Sequence, residues 1–167
     1  MAVVVRPRAV LDTSALWGWG FRSELIRALD AGRFEGLWSE WILGELYYGL
    51  AWDWAANKGT NDTQRRAMSS SAHAMLRLLI PRLELVTLRH AAVDPWPSLR
   101  DQEDEPVWAT AVLGRATHVV SMNTRDFPPN VAGAGEPPRH VWDGIEYVEP
   151  QAFLARVWAD DPSDDEE

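Results

Sequence analysis

Short apolar runs alternate with longer helical segments along most of this chain, and that alternation restricts the fold more than any other feature. Parallel strands need a crossover of a dozen residues or more, so strand-helix-strand order implies a parallel sheet covered by helices on both faces. Arg8 to Leu11 is the first apolar run, and it ends in Asp12-Thr13-Ser14, polar residues able to cap a helix. From Ser23, the apolar residues Leu25, Ile26 and Leu29 recur at helical spacing and stop at Gly32. Phe34 to Trp38 is a second strand, and Ser39 then caps a helix whose inner face takes Ile42, Leu43, Leu46, Tyr47 and Leu50. A polar stretch, Asn57 to Asp62, leads into a helix from Thr63 to Ile80, stopped by Pro81. Leu83 to Leu88 is the third strand. After the Pro-rich connection Val93 to Gln102, a helix with Pro106 in its first turn runs to Arg115. His118 to Met122 is the fourth strand, followed by the loop Asn123 to Pro129. Pro128 to Pro138 is rich in proline and glycine and reads as an exposed connection. Glu146 to Val148 is the last strand, and a helix from Pro150 to Trp158 closes the chain. The predicted fold is therefore α/β, a three-layer α/β/α sandwich with a mainly parallel central sheet.

At 167 residues the chain suits one domain with a real core. We place that domain at residues 1–158 and read 159–167 as an acidic, disordered tail. The formal charge of −9 argues at first against a nucleic-acid partner, but six acids from Asp160 onward account for all but three of those charges. Lys58 is the single lysine, and every other basic residue is arginine, the better bidentate phosphate binder. With no cysteine there is no disulfide, thiolate zinc site or cysteine nucleophile, so any metal must be held by oxygen or imidazole. His73, His90, His118 and His140 lack ligand spacing and read as structural or surface groups. No apolar run approaches the roughly 20 residues of a membrane span, and the N-terminus lacks a secretory pattern, so a cytoplasmic location is expected. Among the ten tryptophans, Trp17, Trp19, Trp38, Trp41, Trp52, Trp54, Trp108 and Trp158 fall within or beside the predicted elements and are expected to be core or interface anchors rather than base-stacking groups.

The informative acids lie where such sheets bind ligands, outside the carboxyl ends of the strands. Asp12 ends the first strand, Asp104 opens a helix before the fourth, and Asn123 and Asp126 follow the fourth directly. Glu45 lies on a helix among apolar neighbours and is expected to face the sheet. Taken singly, each has an ordinary explanation: helix cap, surface residue, helix-dipole acid or turn residue. Taken together, they would repel one another unless a divalent cation intervened, and Mg²⁺ or Mn²⁺ prefers such oxygen donors.

Five segments resemble a known family in the same order along the chain. Val10-Leu-Asp-Thr-Ser-Ala-Leu16 is similar to the opening of PIN domains, and Trp38-Ser-Glu-Trp-Ile-Leu-Gly-Glu-Leu46 to their second segment, in which a helical Glu follows a strand ending in Ser. Asp104-Glu-Pro-Val-Trp-Ala-Thr-Ala-Val112 resembles the third acidic helix. His118-Val-Val-Ser-Met-Asn-Thr-Arg-Asp-Phe-Pro128 resembles the strand-four signature, and Gly144 to Leu154 the closing strand and helix. The resemblance implies a Mg²⁺- or Mn²⁺-dependent ribonuclease acting on RNA phosphodiesters, often the toxin of a VapC-like toxin–antitoxin pair. It also implies that Asp12, Glu45, Asp104 and Asp126 are the catalytic acids, with Asp12, Asp104 and Asp126 as metal ligands. Ser14, Asn123 and Ser121 would line the site, with Asp101 as an extra nearby acid. Ser121 stands where the family usually has Thr, and Asn123 where some members have Asp, which leaves Asp126 as the stronger ligand. Expected partners are RNA, an antitoxin with a basic tail and a second copy of the chain. The rivals are a non-catalytic PIN-like binding module and a phosphatase of another α/β family. A dehalogenase-like phosphatase would need an Asp at Ser14, and a receiver domain would need a lysine late in the chain.

Overall fold

A computed structural model of the chain describes residues 6–17, 19–49, 61–88, 99, 101–124 and 140–159. Six strands, β1 (Arg8–Leu11), β2 (Glu35–Ser39), β3 (Leu83–Val86), β4 (His118–Val120), β5 (His140–Trp142) and β6 (Ile145–Val148), form one sheet in the order β3-β2-β1-β4-β6-β5. Every pairing is parallel except β5 with β6. The connecting helices are α1 (Thr13–Trp17), α2 (Trp19–Asp30), α3 (Glu40–Tyr47), α4 (Asp62–Leu79), α5 (Glu105–Leu113) and α6 (Pro150–Ala159). The helices divide into two groups, α2 packing on α6 and α3 packing on both α4 and α5. The mainly parallel three-layer sandwich expected from the alternation is present.

The central strand explains why that alternation was easy to read. Ala9, Val10 and Leu11 are all fully buried, so β1 must be apolar on both faces and shows as an unbroken run. Phe34 meets Phe153 of α6 edge-on with ring centroids 5.0 Å apart, and Trp108 of α5 stacks on Tyr147 at 5.9 Å. Gly36 in β2 has no room for a side chain, because a Cβ there would stand 2.4 Å from Leu83 Cδ2 and 2.8 Å from Leu29 Cδ2. At the amino end of β1, Arg8 pairs with Glu35 and, at 3.0 Å, with Glu84, tying three adjacent strands together. Deeper in, Arg156 holds the buried carboxylate of Glu146 at 2.8 Å.

Several details differ from the sequence reading. The antiparallel edge strand β5 was not expected; it turns into β6 through Asp143 (φ 48°) and Gly144 (φ 78°). The polar residues after β1 form the short helix α1, and α2 begins at Trp19, before Ser23. Strands β3 and β4 end two residues earlier than expected, at Val86 and Val120. Tyr47 does not join the inner face of α3, since it is exposed and its ring meets His73 edge-on at 5.2 Å. Of the tryptophans, Trp38 and Trp108 are core residues, whereas Trp17 and Trp41 are exposed. Leu50, Trp52, Trp54, His90, Asp126, the connection Pro128 to Pro138 and the tail beyond Ala159 lie outside the described residues.

Candidate functional site

The chain leaves β1 toward β2 on one side and later returns to place β4 on the other, so the carboxyl ends of β1 and β4 flank a topological switch point. Asp12 sits there. Its N–H donates to Val120 O at 3.1 Å, continuing the β1–β4 ladder by one rung, and its carbonyl accepts from Ala15 N at 3.1 Å to start α1. The side chain is 8% exposed, so its carboxylate needs polar partners.

Two serines supply them. Ser14 Oγ donates to Asp12 Oδ2 at 2.5 Å, and Ser121 Oγ donates to the same oxygen at 2.8 Å. Each hydroxyl in turn accepts a backbone N–H from just beyond β4, Met122 N to Ser14 at 2.9 Å and Asn123 N to Ser121 at 3.1 Å. A hydroxyl has one proton to give. With both protons directed at Oδ2, the 3.1 Å approach of the two serine oxygens is a consequence of their convergence and not a further bond. Among the described residues no hydrogen bond reaches Oδ1 of Asp12.

Glu45 arrives from α3. Ser39 Oγ caps that helix by accepting Ile42 N at 3.5 Å, and it donates at 2.9 Å to Thr110 Oγ1, whose own proton goes to Pro106 O at 2.7 Å, coupling the start of α3 to α5. Thr13 Oγ1 donates to Glu45 Oε2 at 2.7 Å. Although the residue is largely exposed, the cleft shields its carboxyl from water, and that desolvation pushes its pKa up. The Thr13 hydrogen bond opposes the shift, while the negative charges of Asp12 and Glu103 reinforce it.

Asp104 ends the tight turn Gln102–Asp104 and stands at the head of α5. Its negative charge and burial together push the Tyr147 phenol up, burial being the larger cause. Asp12, Thr13, Ser14, Trp17, Glu45, Tyr48, Gly49, Asp104 and Asn123 line one open cleft of about 570 Å³. Asp101 is elsewhere: exposed, it caps the turn by accepting Glu103 N on Oδ1 at 2.9 Å. Ser121 lies beneath the cleft, nearly fully buried. Among the described residues, no group of three or more acidic or imidazole side chains stands close enough to grip a bare ion. Also among them, no helix is long and apolar enough to cross a membrane.

Sequence reasoning thus reached three acids of the cleft and missed Thr13, Trp17, Tyr48 and Gly49. Thr13 had a signal, because it stands between two residues already singled out; the others lacked one, since their place in the cleft depends on how α1 and the end of α3 meet. The family profile of the PIN domain matches residues 8–125. No curated protein and no solved structure matches the chain.

Proposed function

Because this chain belongs to the PIN-domain family, typically metal-dependent nucleases, we propose that it is a Mg²⁺- or Mn²⁺-dependent endoribonuclease and the toxin of a toxin–antitoxin pair. The observation that supports this best is the convergence of Asp12, Glu45 and Asp104 on one cleft, with Asp12 Oδ2 saturated and Oδ1 left open. The donor set is all oxygen and carries like charges, which suits a hard cation. Asp12, Asp104 and Asp126 would hold it directly or through its waters, with Asn123 beside them. Bound there, the ion would supply Lewis acidity toward a phosphodiester and lower the pKa of an attacking water.

The protein's own groups have separable tasks. Ser14 and Ser121 fix the rotamer of Asp12 through Oδ2 and leave Oδ1 without a hydrogen bond. Thr13 holds Glu45 through Oε2, leaving Oε1 to take up a proton as the phosphodiester is attacked, a role suited to a carboxyl whose pKa is pushed up. Asp104 stands at the head of α5, which is tied to the N-cap of α3 through Thr110 and Ser39, and this bond helps to set its position relative to Glu45.

Incubating the protein with RNA in Mn²⁺ and in chelator tests the reading; cleavage that persists in chelator, or fails in both, would sink it. The absence of a ready-made cage is also what a non-catalytic PIN-like module would have, and calorimetric titration with Mn²⁺ separates the two, since a module takes up no ion. The toxin role is tested by purifying the protein from its native operon. Recovery alone and fully active, without a small companion bearing a basic tail, would remove the toxin role and leave the nuclease.

A further inference from the structure

The wall of the acidic cleft carries a second kind of chemistry. Trp17, at the end of α1, is 40% exposed, and Tyr48, just past α3, is 61% exposed, yet both line the same cleft as the carboxylates. Large aromatic side chains left open to water beside a polar site mark a surface that something covers. The Trp17 ring is also seated. A Cβ at Gly49 would stand 2.2 Å from its Cζ3 and 2.5 Å from its Cη2, so only glycine lets the six-membered ring lie directly on the backbone just past α3. Among the described residues neither Trp17 nor Tyr48 meets another aromatic ring, unlike Tyr47, which is taken up by His73.

Charge then narrows the occupant. Among the described residues the lining includes three acids and no lysine or arginine. From these residues a phosphate chain gains no fixed positive charge, so what they offer it are contacts that ignore charge. Stacking of a base on an aromatic ring is such a contact, and only an unpaired base has its face free. We infer that Trp17, held by Gly49, is the stacking platform for an unpaired base next to the scissile phosphate, with Tyr48 as a second contact. Trp17 is a positioning residue: it sets which nucleotide is presented to the acids and performs no chemistry. The inference rests on the ribonuclease reading above and assigns Trp17 as the contact that orients the base beside the cleavage point.

The test uses the whole chain in chelator, so that binding is read without cleavage. A short fluorescein-labelled oligoribonucleotide without self-complementarity is titrated by anisotropy, alongside versions with one abasic nucleotide at each position in turn. Trp17→Ala is expected to weaken binding about ten-fold, Trp17→Phe to retain most of it, and Gly49→Ala to mimic Trp17→Ala by unseating the ring. One abasic position should cost the wild type a similar factor and cost Trp17→Ala nothing, a coupling that a merely structural role for Trp17 would not produce. Equal affinity of wild type and Trp17→Ala, or abasic penalties identical in both, overturns the platform. If cleavage in Mn²⁺ persists alongside that result, the nuclease stands and the patch belongs to a protein partner; a wild type that neither binds nor cleaves RNA overturns both.

Discussion

Replacing Ser121 with alanine removes one of the two hydroxyls that hold Asp12, and its effect follows from the bonds described. Ser121 is 1% exposed and gives its proton to a carboxylate oxygen that is itself nearly buried. A hydrogen bond to a charged group contributes about 1.5–3 kcal/mol. Water cannot readily replace it at that depth. The lost acceptor for Asn123 N matters less, because Asn123 is exposed and its N–H can be hydrated. Ser14 still serves the same oxygen, which places the net cost near the middle of the range, about 2 kcal/mol. Ser14→Ala, at a half-buried position, should cost about half as much. Urea denaturation in chelator at neutral pH reads this as a midpoint lowered by roughly 1 M with unchanged slope. Repeating Ser121→Ala in an Asp12→Asn background should shrink its cost to about 1 kcal/mol, since only a neutral hydrogen bond is then lost. A Ser121→Ala protein as stable as wild type, or one destabilised equally in both backgrounds, would refute the convergence of two hydroxyls on an ionised Asp12.

Asp12→Asn and Asp104→Asn should each reduce metal-dependent RNA cleavage by at least a hundred-fold while near-ultraviolet circular dichroism stays native; full activity in either removes that residue from the site. Glu45→Gln should stabilise the metal-free protein modestly at neutral pH, by less than about 1 kcal/mol once its solvent exposure is allowed for. The sign follows from its raised pKa: the folded state binds the Glu45 proton more tightly, so wild-type stability falls as pH rises through the ordinary carboxylate range up to the folded value. The gain in Glu45→Gln should therefore vanish at acid pH, and thermal melts showing it constant with pH would contradict the shielded carboxyl. Gly36→Ala should cost about 1–3 kcal/mol, because Leu83 and Leu29 must both move, and an unchanged melting temperature would show that β2 has room to spare. For Asp126→Asn, Mn²⁺ affinity measured by calorimetry should fall further than for Asn123→Ala; the reverse order would turn Asp126 away from the ion.

What could be read from sequence was what repeats or sits at a boundary. Buried parallel strands must be apolar throughout, so β1 and β4 announced themselves, and the acids ending or following them were found by position alone. The strand β5 was missed because His140-Val141-Trp142 is three residues long and none of them is fully buried, leaving no pattern to see. Its signal was the turn itself, since Asp143-Gly144 is a pair suited to the positive φ angles of a two-residue hairpin. Tyr47 went wrong for a different reason: helical spacing gives one face, but contact with α4 reaches only part of that face and leaves Tyr47 at the margin. Asp101 and Asp104 look alike in the sequence. Only the turn between them decides that one carboxylate caps the chain and the other enters the cleft.

The pair of serines beside Asp12 also governs when the site can exist. Asp12 and Ser121 are 109 positions apart in the chain, and the N–H groups that orient both hydroxyls belong to residues 122 and 123. During synthesis the first carboxylate is made early, but of its two hydroxyl partners only Ser14 is at hand until β4 has left the ribosome and taken its place against β1. A nascent or prematurely terminated chain ending before that point therefore carries Asp12 without the second hydroxyl and without the N–H groups that orient both. In a nuclease of this family, such dependence on a late strand would tie the assembly of the site to the near-completion of the chain.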